Sequence, residues 1–441
     1  MRRMKRFSIL ILIVTVLQMA ARAQQADSAV NKKFSLHFQS TAIPQYHFDF
    51  TSPYQGNNSL LPHEPVRASL TATIFAAFKF APHSYIVFNP ELAGGKGLSK
   101  TLGIAGFPNG EIYRVGNPKP QPYIGRLYIE HRFPLSKKKE QVDNDVNQVR
   151  EYTNKEYISV LAGKFSLTDF FGSSIITHDP RSQFFNWSLM GHGAWDYPAN
   201  TRGYTFGAVV QAVFKSWALR YANTFVPTEA NGMNLQWKPG KAIGMVWEVE
   251  NTRIFYKDSA HNADIRGGIF WNKAHMGSYA DAIAAPGTPD VTASRMYGRD
   301  KWGYYASYDQ AVGSFHYYLK GSWNDGNNET WAFTEIDQSL SAGIQLDGDI
   351  WKRKDDKLGL AYVSNGLSEL HRTYLTKGGY GFLIGDGQLN YGKEQIVELY
   401  YSLNLFKHLF ISPDYQFVLH PAYNKDRGPV SIVSARLHVE F

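Results

Sequence analysis

The sequence predicts an all-β fold, a transmembrane antiparallel β-barrel, and three observations carry this prediction. The segment 431–441 alternates strictly, with apolar side chains on one face and polar side chains on the other. The segment closes on an aromatic residue, Phe441, and the chain begins with a segment typical of export signals. Because successive side chains of a strand point to opposite faces, one face can contact lipid while the other contacts water.

Residues 1–23 are predicted to form a cleaved signal peptide. Basic residues precede an apolar run at 7–17, and Ala21-Arg22-Ala23 gives the small-x-small pattern of a cleavage site. The alternative, an uncleaved anchor, is disfavoured because the apolar run is too short to span a bilayer. Cleavage would lower the net charge of +8 by five, to about +3. We expect residues 24–33 to form a flexible N-terminal arm and residues 34–441 to form the barrel domain.

The composition excludes several classes of protein. No segment beyond the signal offers about 18 consecutive apolar residues, which excludes helical membrane spans. The absence of cysteine excludes disulfides, thiolate metal sites and cysteine nucleophiles. Aromatic residues make up 15% of the chain, a share that girdles at both membrane interfaces would use. No basic patch interleaved with aromatics is present, so we expect no nucleic-acid partner.

Strand-like segments with one apolar face recur along the chain. In one of them, Leu127 and Ile129 are predicted on the same face as Tyr123, with Arg126 and Glu130 opposite. A soluble β-sandwich would alternate in the same way, but several segments reach the roughly 9–11 residues of a transmembrane strand. The mature length then accommodates roughly 14 to 18 strands. The clearest segments are 70–80, 123–133, 243–250, 315–323, 397–405 and 433–441.

Three stretches interrupt the strands. Residues 89–122 and 177–202 are long and rich in glycine, proline and aromatics, and we expect ordered loops that fold over or into the pore. The charged stretch 137–151 is predicted to be a solvated loop.

No motif in the sequence marks a catalytic centre, a cofactor site or a metal site. The G-x-S-x-G, H-E-x-x-H and phosphate-loop patterns are all missing. His178 and Asp179 are adjacent, and we interpret them as a hydrogen-bonding pair of a loop. An outer-membrane phospholipase with a Ser/His pair stays open as an alternative, since nothing marks one pair. We therefore expect a protein that is not an enzyme and that binds no cofactor and no metal.

Short motifs recur in a fixed order along the predicted loops and strand ends. They are 88–91 (FNPE), 106–111 (GFPNGE), 178–187 (HDPRSQFFNW), 196–204 (DYPANTRGY), 217–221 (WALRY), 385–387 (GDG), 414–416 (DYQ) and 421–429 (PAYNKDRGP). This succession resembles the OprB-type carbohydrate-selective porins of bacterial outer membranes. The resemblance runs from about residue 46 to residue 441 and implies a 16-stranded barrel, inward-folded loops and passive uptake of sugars. His420 stands where the family pattern leads us to expect asparagine, and 280–293 is individual, which leaves the sugar open.

A sugar-selective constriction needs aromatic faces for stacking and charged or amide groups that hydrogen-bond hydroxyls. We predict that Asn89, Glu91, Arg126 and Glu130 line it. The family motif carries Asn89 and Glu91, whereas alternation places Arg126 and Glu130 on the lumen face, about 13 Å apart. An alternative for Glu91 is that it pins a loop to the barrel wall through an arginine.

Trp187 and Trp195 are predicted either to be stacking platforms for sugars or to anchor loops. The expected partners are passing carbohydrates, outer-membrane lipids and the barrel-assembly machinery, the last through the strand that ends in Phe441. A homo-oligomer and a monomer both stay open. A general diffusion porin and an assembly or adhesion barrel remain competing functions.

Overall fold

In the part of the chain that the structure describes, sixteen antiparallel strands close into a barrel, in which the first strand pairs with the last. The computed structural model describes residues 33–112, 119–142, 146–149, 151–252, 263–332 and 334–441. The predicted signal peptide, and the predicted arm up to residue 32, lie outside the described residues. The closed barrel of sixteen strands confirms the predicted fold and strand number.

The barrel strands are β1 (Phe34–His47), β2 (Arg67–Ala81), β3 (Ser84–Gly95), β4 (Gln121–Pro134), β7 (Tyr157–Phe165), β8 (Thr205–Phe214), β9 (Trp217–Thr224), β10 (Ile243–Thr252), β11 (Ala263–Met276), β12 (Met296–Val312), β13 (Phe315–Asn324), β14 (Gln338–Asp347), β15 (Lys357–Gly366), β16 (Glu394–Phe406), β17 (Leu409–Leu419) and β18 (Val430–Glu440). Two further strands, β5 (Lys139–Val142) and β6 (Glu151–Asn154), form a separate two-stranded sheet. The helices are Trp187–Met190, Tyr279–Ala284 and Glu369–Thr376, and single 3₁₀ turns occur at Leu98–Lys100, Leu167–Asp169, Thr292–Ser294, Gly348–Trp351 and Pro421–Tyr423. In the part of the chain that the structure describes, none of the helices is both long and apolar enough to cross a membrane.

The alternation of the strands sorts side chains between lipid and lumen as the sequence predicts. Outward-facing Ile74 and Leu437 are 43% and 45% exposed, although both are large and apolar. Inward-facing Lys320, Glu398 and Arg436 are at most 2% exposed, although all three are ionisable. Lipid covers the first group, whereas side chains and loops inside the barrel cover the second.

A β-bulge at Gly125 makes one face assignment wrong. The register between β3 and β4 shifts there, so that Arg126 pairs with Asn89 but Ile124 pairs with Pro90. The extra residue reverses the alternation, and Tyr123 joins Arg126 on the lumen side instead of lying with the apolar residues. A Cβ at Gly125 would lie 3.0 Å from the Glu91 carboxyl carbon and from Cζ of Tyr204, so a larger residue would require these two side chains to move.

The connections between strands differ strongly at the two ends of the barrel. At one end lie the long loops, including L2 (96–120), L3 (166–204), L6 (325–337) and L7 (367–393). The other end carries short turns, together with the start of β1 and the end of β18. Short turns are typical of the periplasmic end and long loops of the extracellular end, which orients the barrel.

L3 folds into the barrel, and inward-facing wall residues hold its backbone. The Glu398 carboxylate of β16 accepts hydrogen bonds from the backbone N–H groups of Phe185 and Asn186, the latter at 2.9 Å. The Lys320 ammonium of β13 donates to the carbonyl oxygen of Thr177 at 2.8 Å. The prediction of ordered, inward-folded loops is thus confirmed for this loop.

The prediction of a solvated loop at 137–151 is correct only in part: residues 137–141 are exposed to solvent, but the stretch includes strand β5 and ends at the buried Glu151. The described parts of this stretch contribute to the β5–β6 hairpin, whose strands pair from Lys139 with Asn154 to Val142 with Glu151. Glu151 is only 3% exposed, because its carboxylate is bound by cations of the barrel wall. The charged composition indicated solvent, but part of the charge is used inside the lumen.

Candidate functional site

A cavity of about 710 Å³ lies inside the barrel between L3 and the wall of β2–β4, β7 and β8. Arg126, Glu130 and Trp187 contribute to its lining, as does Phe107 of L2. A second cavity, of about 950 Å³, lies near the periplasmic end and is lined by residues such as His316 and by none of the predicted constriction residues. The first cavity therefore holds the candidate site.

Arg126 connects the barrel wall to L3 through a bidentate ion pair. Its Nε donates to Asp169 Oδ2 at 2.8 Å and its Nη2 donates to Asp169 Oδ1 at 2.6 Å. On the other side, Nη1 donates to Asn89 Oδ1 at 2.7 Å and lies 3.4 Å from Glu91 Oε1. A guanidinium held by two parallel bonds is fixed in orientation as well as in position.

Asn89 and Glu91 lie behind Arg126 and are 0% and 4% exposed. The Asn89 amide also donates to the Ile74 carbonyl oxygen at 2.7 Å. Glu91 accepts hydrogen bonds from the hydroxyls of Tyr123 at 2.6 Å and Tyr204 at 2.7 Å. Neither residue lines the cavity, so both position Arg126 and the end of L3.

Glu130 lies farther along β4 and pairs with Arg132 on the same face. Arg132 Nε donates to Glu130 Oε1 at 2.7 Å, and Arg132 Nη2 donates to Oε2 at 3.2 Å. Both residues line the cavity. One strand face thus presents two arginines and a glutamate to the lumen.

The two predicted tryptophans occupy different environments. Trp187 stacks on Phe107, with ring centroids 5.2 Å apart and an interplanar angle of 8°, and both rings line the cavity. Trp195 is packed 5.0 Å from Tyr305 and 5.1 Å from Tyr197 in the loop core, away from the cavity lining. Both rings are buried, at 7% and 3% exposed, and of the two tryptophans Trp187 contributes to the cavity lining whereas Trp195 does not.

Sequence reasoning missed Asp169, the main partner of Arg126. Its carboxylate also accepts the backbone N–H of Ser166 at 3.1 Å, which fixes the 3₁₀ turn at Leu167–Asp169. The spacing of Ser166 and Asp169 resembles a capping box and was the one local signal that could have marked this residue. A second pair that was missed joins Arg181 Nε to Glu111 Oε2 at 2.8 Å on the cavity lining.

The histidines of L3 add no positive charge to the lumen at neutral pH. Burial lowers the pKa of His178, which lines the cavity. Burial lowers the pKa of His192 well below its ordinary value, and the charges of Lys320 and Arg266 lower it further. The electrostatics of the site therefore depend on its arginines and carboxylates. Within the described ranges, no three histidine, aspartate or glutamate side chains gather closely enough to hold a metal ion.

Comparisons with known proteins give one family and one fold. The family model described as "Carbohydrate-selective porin, OprB family" matches residues 84–441. The structure of Pseudomonas putida OprB at high pH is similar over 93% of this chain and 94% of that chain, with a TM-score of 0.68 and 13% identity. The low-pH structure is similar over 93% of each chain, with a TM-score of 0.50 and 10% identity. At such identities the structures show a shared fold alone, and none of the curated proteins compared matches the chain.

Proposed function

The chain belongs to the OprB family of carbohydrate-selective porins, and we propose that sugars cross it through the cavity lined by Arg126, Glu130, Trp187 and Phe107. The resemblance seen in the loop motifs is thereby confirmed. The protein is an outer-membrane channel for sugar-selective diffusion, and family and fold both indicate a channel rather than an enzyme.

One observation carries the proposed route: a single cavity is lined by charged groups of β4 and by stacked aromatic rings of L2 and L3. A sugar has polar edges and apolar faces. Arg126 and Glu130 can hydrogen-bond the edges, while the Trp187–Phe107 pair offers an apolar surface for a face. Asn89 and Glu91 serve as positioning residues in this scheme, and Trp195 is not among the residues proposed to contact solute.

The charge balance at Arg126 suits a neutral solute. Asp169 and Glu91 both lie within ion-pair distance of the guanidinium, so its positive charge is compensated locally. One guanidinium beside two carboxylates leaves a net charge of −1 within a hydrogen-bonded cluster, so no uncompensated positive charge holds an anion there. Weak binding of this kind permits entry and also release, which conduction requires.

We further propose the route by which the chain reaches its membrane. Residues 1–23 direct export and are removed after Ala23, and the barrel assembly machinery recognises β18 with Phe441. The backbone of Phe441 pairs with Phe38 of β1 through hydrogen bonds of 3.1 and 2.8 Å, which supports a role for this end of β18 in closing the barrel.

Liposome swelling tests the proposed route. Proteoliposomes that carry the wild-type channel should swell faster in hexoses than in zwitterionic solutes of equal size. Trp187→Leu should reduce this preference, because the stacking surface at the cavity is lost, whereas the matched control Trp195→Leu should retain it. Equal rates for sugars and size-matched solutes would favour a general diffusion porin. An unchanged preference in Trp187→Leu would remove this residue from the route.

A further inference from the structure

We propose that the described residues of the β5–β6 hairpin, 139–142, 146–149 and 151–154, line the exit of the pore and set an upper size limit for the saccharides that pass into the periplasm. This inference rests on the proposed function, since it assumes that the cavity beside Arg126 is the sugar path. It assigns size selection to a part of the chain that is distinct from the constriction.

The hairpin stands out among the periplasmic connections. Within the described residues, four of these connections span two residues each, at 82–83, 215–216, 313–314 and 407–408. The connection from β4 to β7 instead carries two strands of its own. A short turn would suffice to join neighbouring antiparallel strands, so the additional residues serve another purpose.

The hairpin lines the same cavity as the proposed constriction. Val142, Asn147, Val149 and Thr153 contribute to the lining that also includes Arg126. The cavity is therefore continuous from the level of L3 to the hairpin. Since the hairpin belongs to the periplasmic end, a sugar that has passed Arg126 moves along it before it leaves.

One buried carboxylate fixes the hairpin to three strands of the wall. Glu151 of β6 accepts hydrogen bonds from Lys79 Nζ of β2 at 3.0 Å and from Arg132 Nη1 of β4 at 3.0 Å. The Tyr85 hydroxyl of β3 donates to the same carboxylate. The Glu151 side chain is 4% exposed, so these interactions are shielded from water. Breaking a buried ion pair costs more than breaking an exposed one, which makes Glu151 the main fastening of the hairpin.

An apolar contact holds the hairpin on the inner side of the wall. Val149 packs against a cluster formed by Phe75, Ala77 and Val87, with Tyr128 beside it. By contrast, the Lys155–Glu140 pair is about half exposed, at 50% and 51%, and its charged atoms are 4.0 Å apart. One side of the hairpin is thus fixed to the lumen wall, and the other side, which carries the cavity-lining Glu140, is open to water.

The consequence is a second narrow segment in series with the constriction. The described residues of the hairpin border the lumen at the exit. Beside the carboxylates of Glu140 and Glu151, this lining offers the Asn147 amide and the Thr153 hydroxyl, which can hydrogen-bond sugar hydroxyls. A filter of this kind passes short linear saccharides and excludes longer or branched ones.

The test combines single-channel recording with liposome swelling in a series of glucose and maltooligosaccharides. Glu151→Ala removes the fastening, and Glu140→Gln is the matched control, because it changes a half-exposed carboxylate of the same hairpin. Glu151→Ala should raise conductance by about 1.5- to 2-fold if the two narrow segments contribute similar resistance in series, and it should admit longer oligosaccharides. It should also shift ion selectivity toward anions, since Lys79 and Arg132 lose their counter-charge.

Asn147→Trp should narrow the exit, whereas Glu151→Ala should widen it. Asn147 is an exposed residue of the hairpin and lines the cavity. The Asn147→Trp variant should lower conductance and shorten the longest saccharide that passes, and it remains informative if Glu151→Ala fails to insert. The proposal is overturned if both Glu151→Ala, when folded, and Asn147→Trp match Glu140→Gln in conductance and in size limit. The proposed function is tested separately by the wild-type channel. A preference for sugars in the wild type would still support it, and the lack of such a preference would contradict it, whatever the hairpin variants show.

Discussion

At the residue scale, the account depends on how charges are paired in the lumen. Alternation along β4 was enough to predict that Arg126 and Glu130 face the interior. The roles of Asn89 and Glu91 could not be predicted in the same way, because a motif identifies residues but not their partners. The bulge at Gly125 could not be predicted either. One additional residue in a strand moves the following side chains to the opposite face, but it leaves no mark in the composition.

Arg126→Ala is expected to shift ion selectivity toward cations. The variant removes one positive charge and leaves Asp169 and Glu91 without their cation, so the local charge becomes more negative. Block of the ion current by sugar should weaken at the same time, because the guanidinium at the cavity wall is lost as a donor and no longer holds Asp169 in place. Reversal potentials in a salt gradient measure the first effect. Arg126→Lys is the control, since it retains the charge but loses the bidentate geometry, and it should keep wild-type selectivity while losing part of the sugar block.

Glu130→Gln is expected to shift ion selectivity in the opposite direction, toward anions. The amide is nearly equal in size to the carboxylate, and Arg132 then keeps only its pairing with Glu151. Conductance should therefore change little while the reversal potential moves. If neither Glu130→Gln nor Arg126→Ala moved the reversal potential, both residues would have to lie away from the ion path.

At the scale of elements, the loops are held by single wall residues that are remote in sequence. Glu398 binds the backbone of Phe185, which is 213 residues away in the sequence, and Lys320 binds Thr177, which is 143 residues away. The sequence indicated ordered loops through their turn formers and aromatics. It could not pair a loop with a strand at such distances, because local patterns carry no information about them.

Glu398→Gln is expected to loosen L3. The carboxylate accepts two backbone N–H groups, and a glutamine amide can accept at only one oxygen, so one buried N–H loses its partner. An unsatisfied buried donor costs about 1–3 kcal/mol. The open-channel current should become noisier, and proteolysis within 177–202 should accelerate. The control Glu369→Gln changes an exposed glutamate of L7 and should behave as the wild type.

The contact between L6 and L7 is expected to weaken in acid. Burial alone would raise the pKa of Asp337, but its ion pair and hydrogen bond with His371, with Lys301 nearby, lower it to about 2. Because the folded-state pKa is lowered, the stabilisation is complete above about pH 4 and is lost as the pH falls through about 2. Pepsin cleavage within L7 should therefore rise between pH 4 and pH 2.

Asp337→Asn serves as the control for this pH dependence. The amide cannot form the ion pair with His371, so L7 should already be more accessible to protease at neutral pH. The variant should show no further transition between pH 4 and pH 2. A wild-type transition that persisted unchanged in Asp337→Asn would assign the titration to another group.

At the scale of the whole molecule, the alternating strands encode a closed barrel and the loops convert it into a selective channel. The terminal segment 431–441 was sufficient to predict the barrel, because its inward-facing residues include Arg436 and its outward-facing residues include Leu437. The burial of Glu151 in the β5–β6 hairpin was not predicted, because a charged composition indicates solvent unless the matching charges are known. Here those charges come from β2 and β4, which the local sequence does not connect with the hairpin.

The most direct test of the central claim is the ion current through single wild-type channels in planar bilayers, titrated with glucose and short maltooligosaccharides. The account predicts a saturable reduction of the current, because a sugar that binds beside Arg126 and Trp187 occupies the path of the ions. A neutral non-sugar solute of equal size, at a concentration that gives the same bulk viscosity, should not produce this saturation. A current that falls only in proportion to bulk viscosity would contradict sugar-selective diffusion through this pore.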